Sequence, residues 1–318
     1  MSSQAPSGER REPQAASDIP HSGTPWVIRI PHLERSGASP WHDALRRLRR
    51  NRLAMLGLLV LVGFVLSAVL APWIAPFPFD RTNLQYGAKP PTRTHLLGTD
   101  ELGRDLFTRI LYGARISFAV GILATLVSLS IGVTYGSVSG SRGGRVDHLM
   151  MRAVDILYGL PFMFFVIILM VIFGRNILNL FIALGAVQWL TMARIVRGQV
   201  LVLKTREFVL SAQAIGASPA RLLVRHVLPN ALGPIVVYAT LTVPAVMLEE
   251  AFLSFLGLGV QPPMASWGSL ASEGAAAMET YPWLILFPGL ALTVTLLSLN
   301  FLGDGLRDAL DPQVASAR

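Results

Sequence analysis

Long uncharged runs alternate with short, arginine-bearing stretches from Arg46 onward, and this alternation predicts the elements. "LAMLGLLVLVGFVLSAVLAPWIA", Leu53 to Ala75, carries no ionisable residue and exceeds the roughly 20 residues that a helix needs to cross a bilayer. Similar runs follow at about Ile116 to Val138, Ile156 to Phe173, Ile177 to Met192, Leu232 to Leu248 and Trp283 to Leu302. Six membrane-spanning helices are expected, the third and fourth being short as drawn and extending into the turns beside them. Before them, residues 1–45 are rich in Ser, Pro, Gly and mixed charges, which predicts a disordered tail. Residues 46–110 are read as the first span and the segment after it, 111–312 as a core of five spans, and 313–318 as a C-terminal tail.

Charge sets the expected orientation. Five arginines in "RRLRRNR" stand just before the first run, and such a block marks the cytoplasmic side. An even number of spans then puts both termini in the cytoplasm. Arg142, Arg145 and Arg152, and later Arg194, Arg197, Lys204, Arg206, Arg221 and Arg225, fall in loops on that same side. The first outer loop fits poorly, because it carries Arg81, Lys89, Arg93, Arg104 and Arg109. Composition agrees with a membrane protein: 52% of the 318 residues are apolar and 14% charged, with a mean hydropathy of +0.52. The net charge of +8 is explained by orientation more simply than by nucleic acid.

Ionisable residues at mid-depth would mark an ion pathway. Counting about 1.5 Å per residue from Pro229, Glu249 and Glu250 are expected near the outer face. Arg194 is expected to reach the inner interface, and Arg152 to pair with Asp155 on one helix face. No charge is then left at mid-depth. Trp267 and Trp283 are expected to anchor at the interface, and the turn-rich "LSFLGLGVQPPMASWG" to lie at the outer surface, where a binding protein would dock. Gly121, Gly132, Gly136 and Gly140 in the second span would permit close helix approach.

Chemistry by this chain is not expected. The six histidines show no HExxH spacing, no GxSxG or SxxK marks a nucleophile, and the two lysines, Lys89 and Lys204, complete no GxxxxGKS/T loop. Without cysteine there is no thiolate site. No cofactor or metal is expected on the chain, and any ATP and Mg would sit on partner subunits.

One connecting segment, about 199–228, stands apart. In "SAQAIGASPARLLVRHVLPN", Ser211 to Asn230, Gly216 suits a left-handed helix end, Ser218 an N-cap and Pro219 the first turn of a second helix. Two short helices at an angle are predicted. The pattern imitates a DNA-reading helix-turn-helix, but its second helix runs into Pro229 and the bilayer, which keeps it from a major groove. A stiff lever presenting Phe208, Ala212, Ile215 and Ala217 to a cytosolic protein fits better.

This segment resembles the EAA loop of permease subunits in bacterial ATP-binding-cassette importers, EAAxxxG, nine residues, then IxLP. Leu210 stands at the Glu position, Ser211 and Ala212 at the two alanines, Gly216 at the glycine, His226 at the Ile, and Leu228 and Pro229 at the end. Leu210, Ser211 and His226 depart from it, although Glu207 is near. "HLLGTDELGRDLFTRILYGARISF", "VDHLMMRAVDILYGLP", "EAFLSFLGLGVQPPMASWG" and "NFLGDGLRDALDP" are similar to the "C" subunits of the dipeptide, oligopeptide and nickel permeases. The resemblance covers about Arg46 to Pro312. It implies an all-α, six-helix type I importer permease fold in the bacterial inner membrane, paired as a heterodimer with a homologous permease. Two cytosolic ATPase subunits and an outer solute-binding protein would complete the transporter, with lipid around it and no nucleic acid. It further implies an ATPase-docking loop containing Arg206, Glu207, Phe208, Ser211, Ala212, Ala214, Ile215, Gly216, Ala217 and Ser218, anchored by Leu228 and Pro229. The alternatives are an ion-coupled secondary transporter and a membrane-anchored DNA-binding regulator.

Overall fold

A computed structural model describes residues 40–310 of the chain. Residues 1–39 and 311–318 lie outside it, and with them most of the expected N-terminal tail and all of the C-terminal one. Within the described residues the fold is all-α: α1 (Pro40–Arg50), α2 (Arg52–Ile74), α3 (Leu106–Arg142), α4 (Gly144–Tyr158), α5 (Phe162–Phe173), α6 (Ile177–Leu203), α7 (Glu207–Ala214), α8 (Pro219–Leu222), α9 (Leu228–Phe255), α10 (Trp267–Ala276) and α11 (Trp283–Leu310). Residues 40–45 belong to α1 and not to a tail, which corrects the expected boundary. Asn51 separates α1 from α2 and caps the latter, its side chain accepting from the Ala54 N–H.

Among the described residues, five helices are long and apolar enough to cross a membrane. The third expected span is different. Its apolar run is broken at Gly159 and Pro161, so that α4 and α5 meet at a bend of 85°. Proline at 161 disfavours helical geometry at Leu160 and cannot itself donate the helix bond. The six-span count therefore holds only when the bent pair is counted as one.

α3 packs along α6 more extensively than any other pair of described helices. Glycines make this possible. A Cβ at Gly132 would stand 2.6 Å from the Met192 Cβ, one at Gly140 would stand 2.9 Å from the Val200 Cβ, and one at Gly185 would stand 2.6 Å from the Val127 Cβ. Because partners rise together along both chains, α3 and α6 run parallel, and α4 with α5 must return the chain between them. Gly121 faces α9 instead, at Val243 and Met247. The close approach expected of these four glycines is thus present, divided between two neighbours.

At the opposite end from the α6–α7 turn, a core gathers around Trp267. Trp267 is fully buried, donates its indole N–H to the Ile110 carbonyl at 3.0 Å, and lies edge-on to Phe64 and Phe118. It is no interfacial anchor, contrary to the sequence reading. Trp283 is partly buried and donates to the Thr99 carbonyl. The turn-rich stretch before Trp267 is divided: Leu258, Val260 and Ala265 are buried, whereas Phe255 to Gly257 and Gln261 to Met264 are exposed.

The same end accommodates two of the four arginines that fitted poorly, whereas Arg81 and Arg93 are exposed. Arg104 and Arg109 both meet the Asp100 carboxylate at 2.7 Å, and Arg109 also meets Glu273 at 2.8 Å. Lys89 sits over the Tyr86 ring at 4.2 Å. Paired charges of this kind are structural and carry little weight for orientation. Just beyond them, Asp105 caps α3, accepting from the Thr108 N–H at 2.8 Å while its other oxygen meets His95 Nδ1 at 2.8 Å. Asp105→Ala should cost about 1–2 kcal/mol, a fall of about 2–6 °C in the melting temperature of the detergent-solubilised protein.

Candidate functional site

The site begins where α6 ends. Lys204 closes that helix, and its ammonium reaches back to the Gly140 carbonyl at 3.0 Å. After Arg206, α7 forms with Glu207 in its first turn, where a carboxylate opposes the positive helix end. Its two faces differ. Val209 is 2% exposed and Ala212 7%, whereas Phe208 is 43% exposed and Ile215 88%. Val209 joins a core with Met192, Val196 and Val200 of α6 and Ala231 and Ile235 of α9. Val209 thus faces the core that α6 and α9 share, while Phe208 and Ile215 face outward.

Gly216 then has φ +88°, a left-handed turn that an L side chain rarely adopts. The Ala217 N–H closes it by bonding to the Ala212 carbonyl. Ser218 caps α8, Pro219 opens it, and a single π-helical turn, Leu223–Val227, delivers the chain to α9 at Leu228 and Pro229. The expected pair of short helices is present. Its presenting face is narrower than expected, because Ala212 points inward and Ala217 is half-buried. Arg206, Glu207, Ser211, Ala214 and Ser218 are exposed. Between α7, α8 and the end of α6 remains a cavity of about 460 Å³, walled by Val209, Gln213, Leu222 and Thr205 among others.

Two contacts that stabilise this end were missed from the sequence. Asp147 of α4 accepts two hydrogen bonds from the Arg197 guanidinium, at 2.5 and 2.6 Å, and one from Ser139. Asp155 pairs with Arg194 at 2.7 Å, not with Arg152, and that guanidinium lies over the Tyr158 ring at 4.2 Å. Arg194 and Arg197, counted as loop charges in the sequence, belong to α6. Val209 was also missed, although its i, i+3 spacing from Ala212 was an available signal.

The glutamates differ most from expectation. Glu250 is 1% exposed and accepts from Ser254 and Ser266 at 2.8 and 2.7 Å. Glu249 extends across to α6, where Gln188 donates to it at 2.7 Å. Gln188 lies two residues from the middle of the Ile177–Leu203 helix. A polar group does stand at mid-depth, because distance along α9 fixes a backbone height and not where a long side chain ends.

Comparison with known proteins agrees with this architecture. The family described as "Binding-protein-dependent transport system inner membrane component" matches residues 132–316, and the "N-terminal TM domain of oligopeptide transport permease C" matches residues 39–91. The oligopeptide transport system permease protein OppC of Bacillus subtilis is 49% identical over 282 residues, 89% of this chain and 92% of the relative. OppC of Escherichia coli is 53% identical over 283 residues, 88% and 94% of the two chains. The dipeptide transport system permease protein DppC of Bacillus subtilis is 44% identical over 314 residues, 96% and 97%. With the described helices, the parallel α3–α6 seam and the short-helix loop in place, the chain belongs to the family of binding-protein-dependent transport system inner membrane components.

Proposed function

We propose that this chain is one of two homologous permease subunits of an ATP-driven importer that carries di- or oligopeptides across the bacterial inner membrane. The relatives named above are oligopeptide and dipeptide permeases by name, and their cargo class is the one assigned here. The fuel is burned elsewhere: two cytosolic ATPases bind ATP and Mg, and an outer solute-binding protein delivers cargo. Both termini and the α6–α9 connection face the cytoplasm, as the arginine block before α2 favours.

The observation that carries this reading is the contrast on α7 between buried Val209 and Ala212 and exposed Phe208 and Ile215. Ile215 and Phe208, the outward apolar pair, fit a groove on an ATPase subunit, with Arg206, Glu207, Ser211, Ala214 and Ser218 at the rim. Val209, set in the core shared by α6 and α9, passes a push on that pair toward both spans. The Gly216 turn, the Ser218 cap and the Leu228 and Pro229 anchor keep the lever short. Closure of the ATPases then tilts the spans between inward-open and outward-open arrangements, a rigid-body switch.

Ile215→Asp tests it. Burying a carboxylate in an apolar contact should weaken ATPase docking by tenfold or more, so ATP-dependent peptide uptake by the reconstituted transporter should fall by a similar factor. The melting temperature of the permease itself should stay within about 2 °C, since an exposed side chain contributes little to its fold. Unchanged uptake and ATPase recovery would sink the proposal.

A further inference from the structure

We propose that Glu249, with Gln188, Tyr158 and Thr191, forms a site inside the membrane span that takes the ammonium group of cargo in transit. It rests on the reading of the chain as a peptide permease and assigns part of the path to particular residues.

A cavity of about 510 Å³ lies where the α4–α5 bend meets α6 and α9, within the roughly 300–1,000 Å³ of small-molecule sites. The break at Gly159 and Pro161 opens it, because a continuous helix would carry side chains through this space. Much of the wall is apolar, including Leu160 and Phe165. Its polar groups converge. The Tyr158 hydroxyl and Thr191 Oγ1 are 2.9 Å apart, and Gln188 Nε2 donates to Glu249 Oε1 at 2.7 Å. Glu249 Oε2 is buried and has no hydrogen-bond partner among the described residues, nor does Glu249 join any of their salt bridges. The guanidinium near this region, Arg194, is occupied by Asp155 and the Tyr158 ring.

An unsatisfied carboxylate oxygen beside an apolar wall is costly unless a donor reaches it, and a cationic donor answers its charge as well. The adjoining hydroxyls can accept further N–H groups of an ammonium. A metal ion is a poorer fit: among the described residues no three His, Cys, Asp or Glu are grouped to hold one, and one carboxylate with an amide falls short of the six or more oxygens of a calcium site. Every unblocked peptide carries an amino-terminal ammonium whatever its side chains. One acidic contact therefore serves many sequences, and a single exchangeable pair is weak enough to release what it holds.

The test uses the complete transporter in proteoliposomes, with benzoylphenylalanine in place of Phe165 and radiolabelled trialanine as cargo on the binding protein. Light should crosslink trialanine to this chain. Unlabelled trialanine should compete at least tenfold better than N-acetyl-trialanine, and E249Q should reduce both labelling and that preference about tenfold. Glu249→Asp keeps the charge and should retain labelling, which decides the matter if E249Q does not assemble. Equal labelling in E249Q, or equal competition by the acetylated peptide in the native sequence, overturns the site and leaves the permease reading standing. Absence of ATP-dependent trialanine uptake by the transporter without substitutions overturns the permease reading itself.

Discussion

Leucine in place of Gly136 should force α3 and α6 apart and cost a net 2 kcal/mol or more. The added Cβ would overlap the Ala193 carbonyl and stand 3.0 Å from both the Arg197 nitrogen and the Val196 Cβ. Two of these three neighbours are backbone, which cannot turn aside as a flexible side chain can. Overpacking typically costs about 1–3 kcal/mol, and contact with backbone belongs at the upper end. Leucine recovers up to about 1 kcal/mol through its better helix propensity, so packing outweighs it. The seam also aligns Asp147 with Arg197 and Lys204 with Gly140, and these contacts shift with it. The expected measurement is a lowered melting temperature, by about 4 °C or more, with loss of the monodisperse peak in size-exclusion chromatography. Gly63→Leu on α2, where an added Cβ meets nothing within 4 Å, should lower neither, and its better helix propensity should raise the melting temperature by a few degrees at most. A Gly136→Leu protein as stable as the native chain would mean that the α3–α6 seam is not close-packed.

Asp100→Ala should be costlier, about 3–5 kcal/mol, because it breaks a buried pair from one side only. Arg109 is 2% exposed and would keep Glu273 as its sole charged partner, the latter being 46% exposed. Asp100 also accepts from the Leu102 and Arg104 backbone N–H groups at 3.0 and 2.9 Å, so the turn that leads into α3 loses its clamp. The double variant Asp100→Ala with Arg109→Met should recover part of the loss, since the stranded cation is then gone. Thermal unfolding of the four proteins of this cycle gives the coupling directly. Additive effects would show that the two groups do not depend on each other.

How far the sequence reached can be judged element by element. Long uncharged runs located α2, α3, α6, α9 and α11, because the bilayer interior favours such stretches. Gly216, Ser218 and Pro219 located the turn between α7 and α8, since each acts on its own backbone. The same local rules stopped short at Ile156 to Phe173, where the run looked continuous and Pro161 within it bends the chain. Trp267 was read from the habit of tryptophan to sit at interfaces; in the fold, Ser117, Ile110, Phe64 and Phe118 converge on it from distant positions. Glu249 was placed by its height along one helix, but Gln188 of another drew its carboxylate to the middle of the span.

The loop shows the division most clearly. Pattern and resemblance marked Arg206 to Ser218 as the segment that meets a partner, yet could not tell which side chains face it. Val209 is turned inward because it packs in the core that α6 and α9 share, and Phe208 and Ile215 lie outside that core. The sequence by itself determined which segments enter the membrane and where the chain turns, because hydrophobic length and backbone preference act over a few neighbouring residues. Only the tertiary structure decided which charges are paired, which face of α7 is free and where the cavity opens, because those depend on residues 39 to 169 positions apart meeting in space.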